Sequence, residues 1–242
     1  DEDIKRALSI AEKYQEVLRK RNGNDDERDD GGDHPIDSGL VANIVNDFST
    51  DANPHRGWSY GSSKSVTGFD PYTNNKQVRE LYASRGQAEL IGWSRPESPF
   101  PFVAQNLGTA TLYQRWRPTD VVLHPSVALF SIVRWTNPAP GTSAVHLYAT
   151  FRRVEDVTPN ASIWYVVANG KVVESGSLDL GNEERSVSKT LEVEDGGSIA
   201  LVVGCKDHLE GTDLSVSARI ESRSPSLMDC LEAIECRTAL SP

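Results

Sequence analysis

Cysteine and long apolar runs are scarce in this sequence of 242 residues. The three cysteines, Cys205, Cys230 and Cys236, are too few for a disulfide scaffold, and they lack the C-x-x-C spacing of a zinc site. No apolar run approaches the ~20 residues that a membrane span needs, so membrane insertion is not expected. With 38% hydrophobic and 25% charged residues, the composition is instead that of a chain that folds around a core.

Positive charge is also in short supply. The chain has 25 basic and 35 acidic residues, for a formal net charge of −10. Because no basic stripe is available to neutralise phosphates, a nucleic-acid partner is not expected. Residues 1–38 contain twelve acidic and seven basic residues, so half of the net charge falls in this arm. The acidity of the chain therefore says little about which ligands residues 39–242 bind.

Residues 1–38 differ in pattern from everything that follows. Residues 1–21 place apolar side chains at helical spacing, which predicts an amphipathic helix of about five turns. Asn22-Gly23 is a suitable C-terminal end for this helix. The acidic run after it has no apolar residue, so residues 22–38 are expected to form a flexible linker. The apolar positions of the helix are Ile4, Ala7, Leu8, Ala11, Tyr14, Val17 and Leu18.

Residues 39–223 consist of short alternating or β-branched runs separated by Gly, Pro and Asn, the pattern of an all-β domain. Two hairpins are expected, one over 163–173 turning at Asn169-Gly170 and one over 191–203 turning at Asp195-Gly196. Leu214 to Ile220 alternates apolar and polar residues, as in a strand with one buried face. Further strands are predicted over 41–48, 57–61, 89–94, 120–123, 128–136 and 144–154.

About nine or ten strands without intervening helices favour an antiparallel two-sheet β-sandwich of jelly-roll type. After Arg223, Ser224-Pro225 and apolar residues at helical spacing predict a short helix within 224–242. The two terminal helices could cap the sandwich, pack on each other, or belong to neighbouring domains of a longer polypeptide, and the sequence leaves these alternatives open.

The segment from Asn46 to Gly61, with the pattern D-F-S-x-x-x-N-P-x-x-x-W-S-Y-G, resembles the opening of a β-sandwich module of bacterial multidomain and secreted proteins. The resemblance covers about residues 45–221. It continues through Trp93, 120–125, 131–142, 167–171 and 193–204. Such modules look like jelly-roll carbohydrate-binding domains, which implies a glycan ligand and favours an extracellular or cell-surface location. The stretches 64–90 and 205–211 depart from the pattern of the module.

Large aromatic residues cluster in the half of the domain before Asp120. Sugar faces stack on indole and phenol rings, so this cluster is a candidate glycan platform. Because large aromatic residues are usually mostly buried, the alternative is that Trp58 and Trp93 anchor loops over the edge of the core. The proposed ligand-binding residues are Trp58, Tyr60, Trp93, Trp116 and His124.

His124 is included because the proline after it fixes the turn that presents its ring, although a structural histidine is the other interpretation. No histidine pair has the spacing of a transition-metal site. Calcium is possible, since jelly-roll binding modules often use it to hold loops. The acidic residues near predicted strand ends are Asp47, Asp207, Glu210 and Asp213, and Asp213 is the first candidate ligand.

No nucleophile elbow, P-loop or dinucleotide-binding motif is present. The leading hypothesis is therefore a non-catalytic, carbohydrate-binding-like recognition module of a larger bacterial protein. A protein-interaction or scaffolding module, contacting a neighbouring protein domain, is the alternative. A glycan-acting hydrolase is the third hypothesis, with Asp70, Glu80, Glu89 and Glu97 as loop carboxylates that nothing in the sequence pairs.

Overall fold

Extended backbone dominates the computed structural model, which describes residues 39–83, 89–112, 115–154, 161–179, 183–205 and 213–222. All described elements belong to the unit Ser38–Pro242. The helix predicted for residues 1–21, the linker at 22–38 and the helix within 224–242 lie outside the described residues.

The described elements are, in chain order, β1 (Leu40–Asn43), α1 (Ile44–Asp47), β2 (Trp58–Ser63), β3 (Asp70–Pro71), α2 (Lys76–Ala83), β4 (Leu90–Arg95), β5 (Ser98–Asn106), β6 (Val121–His124), β7 (Phe130–Thr136), β8 (Ser143–Arg153), β9 (Ser162–Ala168), β10 (Lys171–Leu178), β11 (Glu184–Val193), β12 (Ser198–Cys205) and β13 (Leu214–Ser222).

These strands form two antiparallel sheets. The seven-stranded sheet has the order β11-β8-β13-β6-β5-β4, with β1 added to β13, and the six-stranded sheet has the order β10-β9-β12-β7-β2-β3. The predicted all-β, antiparallel two-sheet sandwich is thereby confirmed. Each sheet combines strands from distant parts of the chain. The side chains on the inner faces of the two sheets pack against each other and form one core.

The main core lies between the two sheets. Along β8 the buried residues alternate with half-buried ones, and the inward ring of Phe151 stacks on Trp164 of β9 at a centroid distance of 4.7 Å and an interplanar angle of 21°. This contact joins the two sheets. Gly176 of β10 is required beside it, because a Cβ there would lie 2.6 Å from the Trp164 ring.

A second, smaller core lies on the outer face of the seven-stranded sheet, over β4, β5 and β6. Helix α2 covers this part of the sheet with the buried side chains of Val78 and Tyr82. Trp116 packs against the same cluster, with its ring centroid 5.7 Å from that of Tyr82. Among the described residues, this second core leaves the part of the outer face formed by β8, β11 and β13 uncovered.

The structure corrects two local predictions. The strand expected over 41–48 ends at Asn43, whose side-chain oxygen accepts hydrogen bonds from the backbone N–H groups of Val45 and Asn46 and starts α1. The hairpin expected over 191–203 is also wrong, because β11 pairs with β8 while β12 pairs with β7 and β9. The turn at Asp195-Gly196 carries the chain from one sheet to the other. The hairpin over 163–173 is confirmed, with positive φ at both Asn169 and Gly170.

Candidate functional site

The four aromatic residues predicted to bind a ligand lie in the protein interior. Trp58 and Tyr60 are 1% and 0% exposed and point inward from β2, and Trp93 is 6% exposed on β4. Trp116 is 1% exposed, within the second core. A buried ring has no free face for a sugar to stack on, so the expected stacking platform is corrected. These rings fill the cores instead, and for Trp58 and Trp93 burial agrees with the alternative interpretation.

The D-F-S-x-x-x-N-P-x-x-x-W-S-Y-G segment forms a clamp that holds one end of the sandwich. Asn53 donates hydrogen bonds to the carbonyl oxygens of Tyr60 and Tyr72, at 2.8 and 2.9 Å, and accepts one from the Tyr60 N–H at 2.9 Å. The Ser49 N–H donates to the Tyr60 hydroxyl at 3.1 Å, and the Trp93 indole N–H donates to the Ser49 carbonyl at 2.7 Å. The motif residues therefore serve the fold.

Burial raises the pKa of the Tyr60 hydroxyl well above its ordinary value, and the hydrogen bond from Ser49 only partly opposes this shift. Tyr60 is thus a neutral phenol whose oxygen accepts a backbone hydrogen bond, and the ring of Phe48 packs against it at a centroid distance of 4.6 Å. These contacts suit a structural side chain. They leave no polar group of Tyr60 directed at a ligand.

His124 and Asp213, the other two predicted site residues, contact each other. His124 Nδ1 meets Asp213 Oδ1, and the side chains are 16% and 1% exposed. The imidazole packs against two rings, with centroid distances of 4.8 Å to Phe100 and 4.9 Å to Phe102. The carboxylate and the imidazole thus form an internal pair beside two phenylalanines. His124 is therefore placed in the second core and away from the open face of the sheet.

The carboxylates considered for calcium are held by protein groups where the structure describes them. Asp47 accepts a hydrogen bond from the Asn43 N–H at 2.8 Å and pairs with Arg56 at 3.2 Å. Asp207 and Glu210 lie outside the described residues. In the described part of the chain, no three His, Cys, Asp or Glu side chains are grouped so that they could hold a metal ion. A calcium site stays a prediction.

An open polar face, which the sequence analysis did not identify, lies on the outer side of β8, β11 and β13. Its centre is β8, where His146, Tyr148, Thr150 and Arg152 point away from the core at every second position. Strand pairing places hydroxyl-bearing or charged residues on either side of each of them. The four cross-strand rows are Thr190-His146-Glu221, Ser188-Tyr148-Arg219, Ser186-Thr150-Ser217 and Glu184-Arg152-Ser215.

A groove of about 450 Å³ crosses this face between β8, β13 and α1. The wall formed by α1 is held in place by Asn43, which caps the helix, and by Gln105, whose side-chain amide donates to the Val45 carbonyl at 2.8 Å. The volume lies within the range of small-molecule sites, roughly 300–1,000 Å³. The residues that shape the groove include Asn43, Val45, Tyr148, Thr150, Ser217 and Arg219.

Tyr148 is the half-buried aromatic residue of this groove. The guanidinium of Arg219 lies 4.4 Å from its ring centroid, and the ring of His146 lies 4.4 Å from it at an angle of 46°. Arg219 is itself half exposed and pairs with Glu221 at 3.1 Å. The ring is therefore held by two polar neighbours, in a conformation that a ligand entering the groove would meet already formed.

The neighbouring hydroxyls are arranged by hydrogen bonds across strands. The two ring nitrogens of His146 contact Thr190 Oγ1 at 3.0 Å and Ser188 Oγ at 2.9 Å, and Thr150 Oγ1 contacts Ser186 Oγ at 3.1 Å. These groups can donate or accept as needed. An aromatic ring beside ordered hydroxyls can bind a polyol by stacking and by hydrogen bonds together.

The sequence did contain a signal for this face. The segment 144–154 was expected to be a strand, and its alternation of His146, Tyr148, Thr150 and Arg152 with apolar residues separates an outer from an inner row. The signal is incomplete, because it does not show whether another element covers the outer row, as α2 covers β4 to β6.

No protein-family model matches the sequence. A search of curated proteins likewise finds no match. No helix among the described residues has the length and apolar character needed to cross a bilayer.

Solved structures with some similarity include the dimeric latent form of PorU from Porphyromonas gingivalis. It has 8% identity over 40% of this chain, a TM-score of 0.30, and the match spans only a tenth of PorU. A family 35 carbohydrate-binding module from an environmental isolate has 18% identity over 41% of this chain and 72% of its own, with a TM-score of 0.29. A module of the same family from Clostridium thermocellum has 16% identity over 41% of this chain and 76% of its own, with a TM-score of 0.26. The fold assignment therefore rests on the strand pairing, and the function on the geometry of the open face.

Proposed function

We propose that this domain binds glycans, without chemistry, in the groove on the outer face of the seven-stranded sheet. The observation that carries the proposal is the half-buried ring of Tyr148 in a groove of about 450 Å³, beside ordered serine and threonine hydroxyls. The apolar face of a sugar ring stacks on phenol, and its hydroxyls exchange hydrogen bonds with amides and hydroxyls. Both kinds of group meet in this groove.

The chemistry of the groove favours binding over cleavage. Its lining side chains carry amides, hydroxyls and the Arg219 guanidinium, but none of those described carries a carboxylate. Glycoside hydrolysis in most enzymes needs two carboxyl groups roughly 5–10 Å apart across the bound sugar. A ligand in this groove would therefore be held by stacking and hydrogen bonds without an acid and base beside it.

The test compares the wild type with Tyr148→Ala and Tyr148→Phe in affinity gels and on a glycan array, using a panel of neutral and acidic polysaccharides. We expect at least one polysaccharide to retard the wild type, with affinity reduced about tenfold or more in Tyr148→Ala, since ring stacking contributes about 1.5 kcal/mol. Tyr148→Phe should keep most of the affinity because the ring remains.

Tyr165→Ala is the matched control. Tyr165 is also a half-buried tyrosine, but it lies on the outer face of the six-stranded sheet, where it packs against Phe130 at a centroid distance of 6.0 Å. Its removal should leave the affinity unchanged. A wild type that responds to no polysaccharide, or equal losses in Tyr148→Ala and Tyr165→Ala, would contradict the proposal. Circular dichroism of each variant shows whether the fold is retained.

A further inference from the structure

A second cavity, of about 260 Å³, lies at the end of the same outer face. Thr150 lines the groove that contains Tyr148, and Arg152, two residues further along β8, lines the second cavity. Outward side chains two residues apart along a strand are neighbours, and Tyr148 and Arg152 are separated by about 13 Å of strand. The two cavities therefore follow one another along β8 as parts of one track.

The described lining of the second cavity is net positive, although the chain as a whole carries a formal charge of −10. Among the described residues, four arginines and two glutamates line the cavity, and the arginines outnumber the carboxylates even when Asp120 is counted. One glutamate, Glu183, is paired with an arginine, with Arg115 Nη1 and Glu183 Oε2 3.3 Å apart. The lining residues are Arg115, Arg117, Arg152, Arg153, Glu183 and Glu184.

Asp120 organises this end of the track. Its carboxylate accepts hydrogen bonds from the Arg152 guanidinium, from the Arg117 backbone N–H at 2.7 Å and from the Ser215 hydroxyl at 2.8 Å. Arg152 also donates to the Arg115 carbonyl at 3.2 Å. Arg117 is exposed, and within the described residues its guanidinium forms no ion pair. The backbone at Arg117 is thus fixed while its charged group remains available to a ligand.

We infer that this arginine-lined cavity receives the carboxylate of an acidic sugar unit, so that the ligand class is a uronate-containing polysaccharide lying along β8. The inference rests on the proposed glycan-binding function of the groove. A guanidinium presents parallel N–H donors that match the two oxygens of a carboxylate. Tyr148 would stack against one sugar of the chain, while Arg117 meets the carboxylate of another further along the same track.

The experiment measures binding of polygalacturonate, glucuronoxylan and alginate, each beside its carboxyl-reduced form, which has the same backbone without the charge. We expect at least one acidic polymer to bind about fivefold more tightly than its reduced form, as one exposed charged contact of about 1 kcal/mol provides. Arg117→Gln should abolish this preference and leave binding of the reduced polymer intact. Added salt should weaken the preference in the wild type.

Lys64→Gln is the matched control, because it removes one exposed positive charge next to β2 of the six-stranded sheet. It should keep the preference for the acidic polymer. Equal binding of acidic and reduced polymers by the wild type, binding of neutral polysaccharides alone, or an unchanged preference in Arg117→Gln would overturn this inference and leave the groove proposal standing. A wild type that responds to no polysaccharide would overturn both.

Discussion

Replacing Asn53 should destabilise the domain far more than its partial exposure suggests. Its side chain makes three hydrogen bonds with backbone groups, two to Tyr60 and one to Tyr72, all at 2.8–2.9 Å. Both tyrosines are buried, so water cannot readily replace the lost partner. At about 1 kcal/mol for each hydrogen bond, Asn53→Ala should lower the free energy of unfolding by about 3 kcal/mol.

The assay is urea unfolding followed by tryptophan fluorescence, with a lower midpoint and an unchanged slope expected. For a unit of this length, about 3 kcal/mol corresponds to a fall in Tm of roughly 6–12 °C. Asn53→Asp should be at least as unstable, because a carboxylate oxygen would replace the donor that faces two carbonyls. Asn46→Ala is the control: this side chain is exposed, and its loss should change stability by less than about 0.5 kcal/mol. If Asn53→Ala lowers the free energy of unfolding by less than about 1 kcal/mol, or if Asn53→Asp lowers it less than Asn53→Ala does, the stabilising role of the three Asn53 hydrogen bonds is refuted.

Two further predictions concern the cores. Burial raises the pKa of the Tyr60 and Tyr72 hydroxyls above their ordinary value of 10.0, so the unfolded state loses these protons first. The contribution of the two tyrosines to the free energy of unfolding should be fully present below about pH 10 and should fall above it by roughly 2.7 kcal/mol per pH unit, as measured by urea unfolding. Tyr72→Phe should halve this slope, and an unchanged slope would contradict the assignment. Gly92→Ala should cost at least about 2 kcal/mol in urea unfolding, because a Cβ there would lie 2.3 Å from the Val103 carbonyl oxygen. Gly39→Ala, whose nearest atom lies at 3.6 Å, should change stability little, and similar effects of the two changes would argue against the close approach.

Local sequence patterns predicted the sandwich well, because strand period and turn chemistry are properties of short segments. The Asn169-Gly170 turn fixes a hairpin because both residues adopt positive φ, which joins two adjacent strands of one sheet. The turn at Asp195-Gly196 looks similar in sequence, yet β11 and β12 enter opposite sheets. The sequence of a tight turn indicates that the chain reverses direction. It does not indicate which strands the two flanking strands pair with.

Two of the elements that were not predicted were missed for identifiable reasons. Helix α2 is short, so its apolar residues Val78, Leu81 and Tyr82 show helical spacing over one turn only, within a charged stretch. Strand β5 contains Pro99 and Pro101, which normally argue against a strand. They are tolerated because the pairing of β4 with β5 is irregular there, with a register shift between Ser94 and Arg95.

The candidate site was predicted poorly because aromatic content does not reveal which face of a strand a ring occupies. Trp58 and Tyr60 share one face of β2, and that face points into the sandwich only because β2 pairs with β7 inside the six-stranded sheet. Tyr148 obeys the same alternation on β8 but belongs to the outer row. The distinction depends on pairing between residues far apart in sequence.

The motif contributes to the proposed site indirectly. Asp47, the first residue of the D-F-S sequence, accepts a hydrogen bond from the N–H of Asn43, and Asn43 caps the helix that forms one wall of the groove. Tyr148, Arg219 and Arg117, in contrast, point away from the main core, so substitutions there cost little stability. A chain with this motif can therefore keep its fold and its groove wall while changing the residues that contact a ligand. It follows that the motif predicts the scaffold, and that under the proposed function the residues on the outer face of β8 and β13 select the ligand class.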